Sequence, residues 1–305
     1  TAAQVERKTF FTTLRPFAHY KMKIDAILSP AELPALARRD LRDIACVVFD
    51  VLRATSTFVT ALHNGAKAVI PVAEISEALA IRQKQPGVLL GGERDGVKIR
   101  AGQTGDGDFD LGNSPREYTP EKVRGKTIVS TTTNGTRALH ACAGAQTVLA
   151  ASFLNLTVTA QFIRQLQPAQ ILLVCAGTRE NMADEDVLAA GALGEMLVNE
   201  PVAQNLKVGR AVPCPPPVEA SIPVQQQSHG AHGVTRPTLS ASVETARNAW
   251  RKAKSKLLEV VSEAENARRL LAIPDLRDDV AFCLRQDVFN LVAVLGRDGA
   301  IRVAA

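Results

Sequence analysis

Two hydrophobic periods alternate along this chain. Short β-branched runs at 44–50, 67–72, 88–90, 127–130, 147–151 and 171–175 have the length of buried strands, and polar or glycine residues close most of them. Between them lie stretches of about ten residues with helical spacing: 53 to about 63, 76–82 with Ser76 as the cap, about 137 to 142, and one ending at Leu166. Strands separated by helices need crossover connections. That predicts an α/β fold with a largely parallel sheet covered on both faces.

The alternation stops after about residue 200. Residues 201–237 hold 7 of the chain's 16 prolines, with Pro215, Pro216 and Pro217 in a row and a Gln225 to Gln227 run, and carry neither period. A structureless segment of this length is uncommon inside a compact domain. Helical spacing returns with a stripe of Val243, Ala246, Trp250, Ala253, Leu257, Val261 and Ala264, read as one long amphipathic helix. After Pro274 come apolar runs at 280–283 and 288–295. Asp298 and Gly299 then make a hairpin turn into 300–303, so the sheet should end in an antiparallel pair. Met22 reads as a natural beginning, with 1–21 expected to be a disordered leader. The expectation is therefore one α/β domain over 22–303, interrupted by an irregular Pro/Gln-rich segment at 201–240.

Composition narrows the class. The 305 residues are 46% hydrophobic and 4% aromatic, an ordinary globular balance. No run approaches the roughly 18 apolar residues of a membrane helix. Residues 1–21 lack an apolar signal core, and five scattered Cys without a Cys-x-x-Cys pattern suggest reduced thiols, so the expected location is cytoplasmic. The net charge of +5 is local. Arg7, Lys8, Arg15 and Lys21 against Glu6 give +3, while Lys207, Arg210 and Arg236 against Glu219 give +2, which leaves the remainder neutral. A nucleic-acid binder concentrates its basic residues on a folded motif. The expected partner is a small molecule, with no nucleic acid and no membrane; homo-oligomer formation is left open.

Candidate chemistry sits after the strands, where open α/β sheets bind ligands. Asp50 closes an apolar strand and Arg53 follows three residues later. The carboxylate either holds Mg2+ or pairs with the arginine. Arg53, Thr55 and Ser56 suit an acidic group. The turn Thr132, Thr133, Asn134, Gly135, Thr136 between a strand and a helix either cradles an anion or is a Thr/Asn helix cap. Glu185 and Asp186, with Glu180 and Asp184, either complement a helix dipole or bind a hard cation. Glu93, Asn113, Ser114 and Asn155 also follow strands or end loops, and are placed at the rim without assigned roles. A Walker loop, a thiol-phosphatase loop and a dinucleotide fingerprint are absent. His63 and His140 have no mate at metal spacing and read as packing or surface residues.

Taken together, these segments resemble the 2-phosphosulfolactate phosphatase family. The matching stretches are FDVLRATST at 49–57, GER at 92–94, FDLGNSP at 109–115, TTTNGTR at 131–137, SFLN at 152–155, CAG at 175–177, EDVLAAG at 185–191 and DVAFC at 279–283. The resemblance implies a three-layer α/β/α sandwich. It also implies Mg2+-dependent hydrolysis of (2R)-2-phospho-3-sulfolactate, or another phosphorylated 2-hydroxy acid, to the free acid and phosphate. In the family this reaction leads towards coenzyme M. On this reading Asp50, Glu185 and Asp186 hold the metal and Arg53 acts with them at the catalytic centre. Thr55, Ser56, Glu93, Asn113, Ser114, Thr132 to Thr136 and Asn155 surround the substrate. The 201–240 segment departs from the family pattern and is read as a reading-frame disturbance or a disordered replacement. A non-catalytic, anion-binding member is the alternative.

Overall fold

The computed structural model describes residues 22–36, 38–199 and 237–304. The expected leader and most of the 201–240 segment lie outside the described residues. The apolar runs form the strands β1 (Lys23–Ile27), β2 (Ile44–Phe49), β3 (Ala68–Pro71), β4 (Leu89–Arg94), β5 (Val97–Lys98), β6 (Thr127–Thr131), β7 (Thr147–Ala151), β8 (Gln170–Cys175), β9 (Thr238–Leu239), β10 (Ala293–Leu295) and β11 (Ile301–Val303). They join in one 11-stranded mixed sheet of order β5-β4-β6-β3-β11-β10-β7-β2-β8-β1-β9.

The sheet has two parallel blocks, β4-β6-β3 and β7-β2-β8-β1-β9. The C-terminal hairpin β10-β11 stitches them together, antiparallel to β7 on one side and to β3 on the other. Three antiparallel pairings in succession make the two blocks run in opposite senses along the ladder. Strand twist of about 20–25° per step accumulates over the steps from β2 to β6 to roughly 100–125°. The two blocks therefore cross, and strand ends from both can converge.

Every residue of β2 is buried, as expected of a central strand covered on both sides. Its alternation divides the core. Val47 and Phe49 face one layer with Leu149, Ile171, Leu173 and the helices Leu156–Leu166, Asp184–Val198 and Ala241–Ala253. Cys46 and Val48 face the other with Val148, Leu172 and the helices Ala54–His63 and Gly135–Ala141. The described cysteines, Cys46, Cys142, Cys175 and Cys283, are buried free thiols. His63 stacks on Phe289 with ring centroids 4.0 Å apart.

Several boundaries differ from expectation. The helix Ile75–Lys84 is capped by Glu74, whose capping box with Glu77 displaces Ser76 from that role. The turn after β6 becomes helical at Gly135, two residues early. The apolar stripe from Val243 to Ala264 is not one helix. It breaks into Ala241–Ala253, a short 3-10 turn and Leu257–Ser262 before a further helix, Glu265–Leu271. Repeating apolar positions cannot reveal such breaks, because the stripe continues across them. Residues 280–283 belong to the helix Arg277–Cys283. At the far end of the 201–240 segment, Thr238 and Leu239 pair with Lys23 and Ile24 of β1.

Candidate active site

The loop after β2 folds on itself through local hydrogen bonds. Asp50 N–H donates to Thr55 Oγ1 at 3.0 Å, and Thr55 returns a bond from Oγ1 to Asp50 O at 2.9 Å. Ser56 Oγ donates to Val51 O, and Ala54 N–H donates to Asp50 Oδ1 at 3.1 Å. Thr55 and Ser56 are therefore the fasteners of the turn and not part of the cleft wall. Asp50 Oδ2 has no hydrogen-bond partner among the described residues, and Asp50 lines a cleft with Arg53, Glu93, Asn113, Thr133 and Asn134.

Asp50 and Arg53 do not pair with each other. Arg53 Nη1 donates to Asp279 Oδ2 at 2.7 Å and Nη2 to Gly96 O at 2.5 Å. Asp279 Oδ1 receives Ser114 Oγ at 2.7 Å and Arg116 Nε at 2.9 Å. Ser114 is thus spent on Asp279, and Asn113 keeps a buried Oδ1 with no partner.

Asp186 bridges two strand ends, taking Val51 N–H on Oδ1 at 2.8 Å and Gly177 N–H on Oδ2 at 3.0 Å. Gly177 has φ +67°, and a side chain there would meet Pro30 and Asn181 O. Glu185 Oε1 receives Asn266 Nδ2 at 2.8 Å, while its Oε2 is buried without a partner among the described residues. Burial, with smaller repulsion from Glu93 and Glu185, pushes the Asp50 carboxyl up to about 7. Burial also drives Glu185 and Asp186 upward, Asp186 with added repulsion from Asp50 and Glu185.

These buried acids meet the electrostatic requirement for a cation, and Asp50 Oδ2 and Glu185 Oε2 are open donors. Among the described residues, no group of three or more His, Cys, Asp or Glu is already arranged to hold a metal ion. The donor chemistry fits a hard cation that completes its shell with water and substrate oxygens.

The turn after β6 approaches Asp50 closely. A Cβ on Gly135 would lie 2.7 Å from Asp50 Oδ2 and 2.6 Å from Ala54 Cβ. Glu93 holds this turn from the other side. Its Oε1 takes Thr133 N–H and Oγ1, each at 2.9 Å, and its Oε2 takes Gly96 N–H at 2.6 Å. Thr132 and Thr136 bond to each other and stay buried, so Thr133 and Asn134 are the members of the turn that reach the cleft. Asn134 precedes the helix without a side-chain cap bond. Asn155 lies elsewhere: fully buried, it accepts Ser152 N–H and donates to Leu291 O.

The cleft is lined also by Thr178, Arg179, Asn266 and Arg269, none of them singled out by residue from the sequence. Arg179 and Thr178 follow β8, where their position after a strand end was the available signal. Nothing local marks Asn266 or Arg269, which sit on a short helix of mixed polarity.

A family model described as 2-phosphosulpholactate phosphatase matches residues 31–298. A relative from Thermotoga maritima, named probable 2-phosphosulfolactate phosphatase, is 36% identical over 272 residues, covering 89% of this chain and 95% of its own. A protein of the same name from Pseudothermotoga lettingae is 36% identical over 260 residues, 85% of this chain and 92% of its own. Another so named, from Caldicellulosiruptor saccharolyticus, is 42% identical over 186 residues, 60% of this chain and 69% of its own.

Proposed function

The chain belongs to the 2-phosphosulpholactate phosphatase family, and from that premise we propose that it hydrolyses the phosphate monoester of a 2-hydroxy acid. The substrate is (2R)-2-phospho-3-sulfolactate and the products are 3-sulfolactate and phosphate. The observation that carries this reading is the set of buried acids Asp50, Glu185 and Asp186. Their carboxyls are all raised by burial, and Glu185 Oε2 is buried without a partner among the described residues.

Such a cluster supports Mg2+ as the cofactor, with Asp50 and Glu185 offering open oxygens and Asp186 contributing charge while it fixes Val51 and Gly177. When bound, Mg2+ would screen the phosphate and orient the attacking water. The chain's own groups do the rest. Asn134, on the turn that Glu93 holds through Thr133, would offer its side-chain amide to the phosphoryl oxygens as charge develops on them. Arg53 lines the cleft with its guanidinium fixed by Asp279, and so holds the turn that carries Asp50.

We assign the protein to the cytoplasm, where its described cysteines would stay reduced. No helix among the described residues is long and apolar enough to cross a membrane. The test is phosphate release from synthetic 2-phosphosulfolactate by the full chain, with Mg2+ and with EDTA. Release that depends on Mg2+ is expected; no release from a folded preparation overturns the reading.

A further inference from the structure

The proposed substrate keeps two acid groups after losing its phosphate, a carboxylate and a sulfonate. The acids around Asp50 repel both. The cleft is lined also by Arg269, which comes from the helix Glu265–Leu271. Its Nη2 donates to the amide oxygen of Asn266 at 2.8 Å, and its Nε is buried with no partner among the described residues. Asn266 is fixed in turn, its Nδ2 donating to Glu185 Oε1 at 2.8 Å and to Thr178 Oγ1 at 2.5 Å. Arg179, next to Thr178 with φ +56°, lines the same cleft.

Of the three arginines that line the cleft, Arg53 and Arg269 differ in what holds them. Arg53 is spent on Asp279 at 2.7 Å. Arg269 is held by a neutral amide, so its charge is not cancelled by the group that orients it. A buried N–H donor without an acceptor is unfavourable until a ligand supplies one. A planar guanidinium is weakly hydrated and matches an oxyanion with two or three equivalent oxygens. A sulfonate is such a group.

Building on the phosphatase reading above, we propose that Arg269, oriented by Asn266, binds the sulfonate of the substrate. It thereby selects 2-phospho acids that carry a second strong acid over 2-phospholactate, which lacks one. Asn266 is the positioning residue: it fixes the guanidinium and, through the same amide, ties this subsite to Glu185.

The test compares wild type, Arg269→Gln and Arg269→Lys on 2-phosphosulfolactate and 2-phospholactate, with Arg268→Gln at the exposed neighbouring position as control. In Arg269→Gln we expect KM for 2-phosphosulfolactate to rise at least about tenfold more than KM for 2-phospholactate, the extra loss lying in KM and not in kcat. Arg269→Lys keeps the charge but loses the fork, and should fall between. In parallel, 3-sulfolactate should raise the Tm of wild type and of Arg268→Gln, but not of Arg269→Gln, while lactate raises none. Equal effects of Arg269→Gln on both esters, or undiminished protection by 3-sulfolactate, overturn the assignment and leave the phosphatase reading standing. If wild type hydrolyses neither ester, that reading fails, and 3-sulfolactate protection lost in Arg269→Gln still identifies Arg269 as the sulfonate site.

Discussion

Arg53 and Asp279 are 226 positions apart in sequence and joined by a 2.7 Å ion pair whose side chains are 2% and 0% exposed. The pair ties the turn after β2 to the helix Arg277–Cys283. The second oxygen of Asp279 takes Ser114 and Arg116, so the 109–115 loop is fixed to the same point.

Asp279→Asn tests that junction. The substitution keeps the shape but strands the buried guanidinium of Arg53, and breaking one partner of a buried pair costs about 3–5 kcal/mol. Urea unfolding should show a loss of that size. Replacing both partners, Arg53→Met with Asp279→Leu, should recover part of it, because no unpaired charge remains buried and the part-exposed Arg116 keeps Asp278. A loss below about 1 kcal/mol in the single variant contradicts the buried pairing.

Asp50→Asn separates function from stability. In metal-free protein Asp50 is buried beside Glu185 and Asp186, and no arginine neutralises it directly. Removing its charge should raise the Tm of the metal-free protein while phosphate release falls by about 1,000-fold or more. Wild type should gain Tm on adding Mg2+, by about 2.7 kcal/mol of stability at 100 times the dissociation constant. The variant should not. An Asp50→Asn protein that still responds fully to Mg2+ removes Asp50 as a ligand.

What was legible in the sequence follows the range of the interactions. β2, Asp50 and Thr55 lie within a few residues of one another, so an apolar run closed by an acid and hydroxyls singled them out, although Thr55, read as a group for an acidic ligand, fastens the turn instead. The C-terminal hairpin declared itself through Asp298 and Gly299, and Gly299 does adopt φ +76°. The partner of Arg53 was not legible, since Asp279 stands in a helix whose acidic start also reads as a dipole complement. Asn266 and Arg269 interleave with Ala264, Ala267 and Leu270 and resemble the polar side of an ordinary amphipathic helix. Their roles come from which strand end the helix covers. Asn155 shows the opposite case: its place after a strand suggested the rim, yet its amide is consumed by Ser152 and Leu291.

Gly135→Ala probes how closely the turn after β6 must approach Asp50. The added methyl would sit 2.6 Å from Ala54 Cβ and 2.7 Å from Asp50 Oδ2, so the turn has to move. Overpacking of this kind costs about 1–3 kcal/mol, and the displacement should lower kcat/KM by roughly tenfold or more. At Gly144 an added Cβ meets nothing within 4 Å, so Gly144→Ala is the matched control and should leave both quantities unchanged. Wild-type kinetics in Gly135→Ala would mean that the turn does not work from this position.

Glu93→Gln asks whether the acid is a clamp for that turn. In wild type both carboxylate oxygens are used, one by the N–H and hydroxyl of Thr133 and the other by Gly96 N–H. Glutamine keeps one acceptor and turns a donor toward the other site, so at least one N–H faces an N–H. Leaving a buried donor unpaired costs about 1–3 kcal/mol, measurable by urea unfolding. Because this turn carries Asn134 to the cleft, where its amide would meet charge developing on the phosphoryl oxygens, the loosened turn should lower kcat for the phosphate ester more than it raises KM. Glu93→Asp is too short to span both partners and should repeat the defect despite its charge. If Asp behaves as wild type and Gln does not, Glu93 acts through its charge and the clamp is ruled out.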